Sequence, residues 1–74
     1  MRINDIVVLE NNKRYILTNK YGLNNNIYYL AYELLDTEKT DKFVFVKEIY
    51  VDGYYVILEK NEDILTKLIS QKNS

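Results

Sequence analysis

The side chains able to do chemistry in this sequence are few. It has no histidine and no cysteine, so acid–base work near neutral pH would fall to a carboxyl, lysine or tyrosine of displaced pKa. Covalent catalysis would need an activated serine, threonine or lysine. The only serines, Ser70 and Ser74, stand near the end of the sequence, away from any rigid pocket the pattern suggests. No catalytic residue, and no cofactor, is expected. Asp36, Glu38 and Asp41 carry the oxygen ligands that calcium and magnesium favour. Their segment lacks the glycine and the ligand spacing of an EF-hand loop. It reads as a solvated loop with Lys39 and Lys42 as local partners, and no metal is expected.

The eight tyrosines stand out. Tyrosine pairs a rigid apolar body with a polar tip, which enriches it at protein interfaces and also suits it to strands and the margins of thin cores. Tyr15, Tyr28 and Tyr32 are expected in the core, and Tyr29, Tyr50 and Tyr55 on an outer sheet face. Sheet aromatics can also stack nucleic-acid bases, but such platforms are ringed by lysine and arginine. Here Glu33, Glu48 and Glu59 are expected on or near the platform and would oppose it.

These residues need elements to position them. A chain of 74 residues makes one domain, residues 1–74, and at this size only about 60% of the unfolded surface is buried. Neither a disulfide nor a zinc site can staple it, which leaves self-association as the way to add core. Ten basic and eleven acidic residues are interspersed, for a net charge of −1. Non-specific nucleic-acid binding rests on phosphate neutralisation, and this balance counts against it. No signal-peptide pattern or bilayer-length apolar run is seen, so a cytoplasmic protein away from membranes is expected.

The stretch from Ile27 to Tyr50 forms the centre of the expected sheet: two runs rich in aromatic and β-branched residues flank the polar loop Asp36 to Asp41. The first run is apolar on both alternating faces, as a central strand covered on both sides would be. Before it, Ile6–Leu9 and Arg14–Thr18 read as a hairpin around a two-residue Asn11-Asn12 turn. That register places Val8 opposite Tyr15 and turns Ile6, Val8, Tyr15 and Leu17 to the core. Tyr21 to Asn26 reads as a loop. After the centre, Asp52-Gly53 signals a second tight hairpin, with Ile49 opposite Val56 and Tyr50 opposite Tyr55. One face then collects Phe43, Phe45, Ile49, Val56 and Leu58, and the other Val44, Val46, Glu48, Tyr50, Tyr55, Ile57 and Glu59. Residues 61–72 read as a helix: Asn61 caps it, Glu62 and Asp63 complement its N-terminus, and Ile64, Leu65, Leu68 and Ile69 form one stripe. The fold class is α+β: a strongly bent five-stranded antiparallel sheet over residues 1–60 plus one C-terminal helix. Either it curls into a small SH3-like barrel with the helix closing one end, or it stays open with the helix on one face.

This layout of hairpin, tyrosine-containing central strand, acidic loop, second hairpin and closing helix (Asn61-Glu62-Asp63-Ile64-Leu65-Thr66-Lys67-Leu68-Ile69) resembles the small uncharacterised YrzB-like proteins of Firmicutes. The similarity covers most of the chain as a pattern, without a diagnostic motif, and this sequence has a shorter and less charged loop at Asp36 to Asp41. The resemblance implies a bacterial cytoplasmic or phage origin and brings no catalytic residues.

The expected function is a non-catalytic protein-interaction module. The candidate interface is the apolar face around Val44, Val46, Tyr50, Tyr55 and Ile57, with Tyr29, and the expected partner is a second copy in a homodimer, or another protein. Two alternatives stand beside it. One is a phage or mobile-element inhibitor of a host nucleic-acid enzyme, offering Glu33, Glu48 and Glu59 as phosphate mimics. The other is weak single-stranded nucleic-acid binding through the sheet tyrosines.

Overall fold

A computed structural model describes residues 1–74. Five antiparallel strands follow one another in a meander, β1 (Ile6–Val8), β2 (Arg14–Leu23), β3 (Asn26–Leu35), β4 (Glu38–Tyr50) and β5 (Tyr54–Leu58), and one helix, α1 (Glu62–Lys72), closes the chain. The sheet bends into a nearly closed small barrel. Its interior joins Leu9, beyond β1, through Tyr15, Leu17, Tyr29, Ala31 and Val46 to Val56 on β5. A flat meander would keep its first and last strands too far apart to share that core. Two irregularities help it bend: Thr18 is an extra residue in β2 opposite β3, and the β3–β4 register shifts between Tyr32 and Leu34. Such bulges add local twist and curvature.

Because β-strand side chains alternate, the residues between the interior ones point outward. Tyr28, Leu30 and Phe45 form a second cluster there, covered by Leu68, Ile64 and Leu65 of α1. The helix thus lies on the outside of the curled sheet and does not plug its end. It starts where expected, with Asn61 Oδ1 accepting the Ile64 N–H at 3.2 Å. With one helix outside and a curled interior, β3 is covered on both faces, as its mostly apolar composition on both sides suggests.

Two registers differ from the sequence expectation by one residue. Leu9 and Lys13 close the first hairpin (Leu9 N–H to Lys13 O, 3.1 Å; Asn12 N–H to Leu9 O, 2.9 Å), with Asn12 at φ +63°. Three residues therefore form the loop, and Val7, not Val8, lies opposite Tyr15. Val7 packs inward while Ile6 and Val8 are exposed. The second hairpin likewise uses three residues, Val51-Asp52-Gly53, so that Tyr50 pairs with Tyr54 and Ile49 with Tyr55. The two-residue turns lie elsewhere. Asn24 and Asn25 both take positive φ between the paired Leu23 and Asn26, the requirement of a type I′ turn. The expected loop at Tyr21 to Asn26 is thus strand and tight turn. Asp36-Thr37 forms the other turn, and β4 begins at Glu38 within the expected acidic loop.

Candidate functional site

The structure divides the six expected interface residues. Tyr29 and Val46 are interior, at 1% and 0% exposure. Val44 packs partly against the same core. They lie on the concave side of the curled sheet and face other strands of the same molecule. Tyr50, Tyr55 and Ile57 belong to the β4–β5 hairpin. The corrected register moves Tyr55, opposite Ile49, to the convex side with Ile57. The expected single face does not exist, and the hairpin is what remains of it.

At that hairpin Tyr50 is 67% exposed, Tyr54 61% and Tyr55 46%, with Val51 beside them also exposed. Tyr50 and Tyr54 face each other as a cross-strand pair, ring centroids 4.8 Å apart. Aromatic cross-strand pairs stabilise a hairpin, and here the pair also holds two large rings out in solvent. Tyr54 and Val51 were not among the expected contact residues. With a three-residue loop, Tyr54 takes the position opposite Tyr50 and shares its face.

The polar groups are mostly engaged in structure. Tyr29 lies with its hydroxyl 3.0 Å from the Met1 carbonyl and 3.2 Å from Glu48 Oε1, to which it donates, and the Met1 ammonium sits 3.5 Å from the same carboxylate. Burial, then the neighbouring Glu48 charge, pushes the Tyr29 pKa up to about 12. Burial likewise raises Tyr28 and Tyr21. Glu33 is buried and meets Lys13 at 3.5 Å. Glu59 Oε2 accepts the N–H groups of Lys60 and Asn61, at 2.9 and 3.1 Å, just before the helix. The three carboxylates weighed as phosphate mimics are thus not displayed together. On the outer face, the Tyr32 and Phe43 rings lie 5.7 Å apart, but Lys39 and Lys72 already cover them, with ammonium groups 4.7 and 5.0 Å from the ring centroids.

One groove of about 320 Å³ lies between β4, the segment before α1 and the helix, lined by Phe43, Phe45, Leu58, Leu65 and Ile69 with Glu59 and Lys60. Its only carboxylate is Glu59, already bonded to two backbone N–H groups, so the groove contains no nucleophile–base pair. Asp36, Glu38 and Asp41 do not gather into a group that could hold a metal ion. No helix is long and apolar enough to cross a membrane, which says nothing about crossing with strands.

A last polar contact sits at the seam of the curled sheet. Both carboxylate oxygens of Glu10, in the β1–β2 turn, lie 3.2 Å from the Leu58 N–H of β5. Neighbouring Glu59 instead donates its N–H back to Phe45 O of β4, at 2.9 Å. No protein-family model matches this chain, and no curated protein or solved structure is significantly similar to it.

Proposed function

We propose that the protein is a non-catalytic cytoplasmic interaction module that self-associates through its β4–β5 hairpin. The observation that carries this reading is the grouping of Tyr50, Val51, Tyr54 and Tyr55 on one hairpin, each between 46% and 67% exposed. Large aromatic side chains cost little conformational entropy to immobilise and dominate interface energetics. A domain with only twelve buried residues has little core of its own and gains from added burial. The other two readings have less support. The inhibitor needs an array of free carboxylates, and Glu33 and Glu48 are held inward. Base stacking on Tyr32 and Phe43 must first displace Lys39 and Lys72.

The test is mass in solution as a function of concentration. The wild-type chain is expected to pass from one copy to two as concentration rises, and Tyr54→Lys, which brings like charges together in the contact, to stay at one copy with an unchanged circular dichroism spectrum. A wild-type chain of single-copy mass at every concentration overturns the reading.

A further inference from the structure

The alternation of hydrogen-bonding directions along β5 identifies an unpaired backbone edge. In an antiparallel strand successive residues point their N–H and C=O groups to opposite sides. The Glu59 N–H points to β4 and the Leu58 N–H to Glu10, so the groups of Tyr54 and Val56, like those of Leu58, point away from β4. Glu10 takes only the Leu58 N–H. The Tyr54 and Val56 N–H groups have no acceptor within the molecule. The Val56 side chain packs into the interior, which leaves its backbone N–H, like that of Tyr54, as a free donor on the outer side of the strand.

Edge strands are normally guarded by charge, proline or a bulge. The five residues Tyr54-Tyr55-Val56-Ile57-Leu58 contain no charge and no proline, and their register with β4 is unbroken. Glu10 is the only guard, and it covers one end.

We infer that β5 pairs antiparallel with β5 of a second copy about a two-fold axis, Tyr54 of each chain exchanging hydrogen bonds with Val56 of the other. The inference rests on the self-association proposed above and specifies its geometry. This register uses the two unsatisfied N–H groups and leaves the Glu10–Leu58 contact in place. It puts Tyr55 opposite Tyr55 on the axis, in the narrow, non-hydrogen-bonded kind of pair. A second copy fits better than a charged segment because the edge is neutral, so two copies meet without repulsion. A two-fold contact also satisfies both edges at once. The exposed fractions of Tyr50, Tyr54 and Tyr55 correspond to about 350 Å² of aromatic surface per copy, taking roughly 200 Å² for a tyrosine. That is below the roughly 800 Å² per partner of a standard stable interface, so the dimer is expected to dissociate on dilution.

The chain has no cysteine, so a single introduced one reports the pairing. Narrow antiparallel pairs place Cα atoms about 4.5 Å apart, within disulfide range. Tyr55→Cys is expected to form the disulfide-linked dimer about a hundredfold faster than Ile57→Cys at roughly 10 μM protein, the ratio of a millimolar effective concentration to that of free chains. Ile57 lies opposite Gly53 in this register and has no second cysteine to meet. A dimer by mass in which both variants link at equal rates, or neither links, overturns the strand pairing and leaves self-association standing. A chain that never dimerises overturns both.

Discussion

The dipeptide Tyr-Tyr occurs twice in this protein with opposite outcomes. Tyr28 and Tyr29 on β3 are 0% and 1% exposed, whereas Tyr54 and Tyr55 on β5 are 61% and 46% exposed. Both pairs sit in strands, and each points one ring to either side of the sheet. The difference is in the neighbours. β3 has a strand on each flank, the barrel interior on one face and α1 on the other, so both rings are covered. β5 has a neighbour on one flank only, and its N-terminal end runs out past the barrel with β4. Burial here is a property of position in the sheet and not of residue type, and the same side chains that make the core in one place make a contact surface in the other.

The sharpest way to break that contrast is to truncate one ring from each pair. Tyr29→Ala removes a fully buried aromatic and is expected to cost about 3–5 kcal/mol. Total stability for 74 residues is roughly 4–11 kcal/mol, so this variant is expected to lose a large share of it, as a much lower urea midpoint would show. Tyr54→Ala, measured on dilute protein, is expected to change stability by no more than about 0.5–1 kcal/mol, since a surface residue loses little beyond its cross-strand pair. Equal losses at the two positions would mean that Tyr54 is packed within the single chain.

Much of this contrast could be read from the sequence, but not its decisive part. The double-sided composition of Ile27 to Leu35 marked β3 as central, and Asn61 with its following acids marked the start of α1. What failed was register. Asn11-Asn12 and Asp52-Gly53 both suggested two-residue turns, and both hairpins instead close three-residue loops, with Asn12, Asp52 and Gly53 at positive φ. One extra loop residue turns every side chain of the pairing to the other face. That moved Val7 inward in place of Val8, and separated Tyr55 from Val46. One of the two true two-residue turns, Asn24-Asn25, lies inside an asparagine run that reads as loop because all three residues tolerate turn conformations. That Tyr29 lies inside is not legible for a related reason: in a strand whose two faces are both mostly apolar, alternation gives no sign of which face closes into a barrel.

The buried member of the comparison also has a signature in pH. Tyr29 keeps its proton to about pH 12 in the folded chain, while a tyrosine in the unfolded chain ionises near 10. The folded state therefore binds the proton more tightly, its contribution is complete below pH 10, and it is lost as pH rises through 12. At pH 11 the loss from this residue is about 1.4 kcal/mol. Urea titrations at pH 9 and pH 11 are expected to show wild type losing about that much more than Tyr29→Phe. An identical loss in the two proteins would mean that this hydroxyl is open to solvent.

The smallest expected effect concerns the guard on the exposed edge. Glu10 is an exposed side chain whose carboxylate reaches one N–H of β5 at 3.2 Å, so Glu10→Ala is expected to lower the stability of dilute protein by only about 0.5–1 kcal/mol. Its effect on association should run the other way. With the carboxylate gone, Leu58 joins Tyr54 and Val56 in presenting an unpaired N–H, and the open edge grows. Dimerisation is then expected at lower concentration than in wild type. Weaker association in Glu10→Ala would instead make Glu10 part of the contact, and the β1–β2 turn would join the β4–β5 hairpin in the surface that the second copy covers.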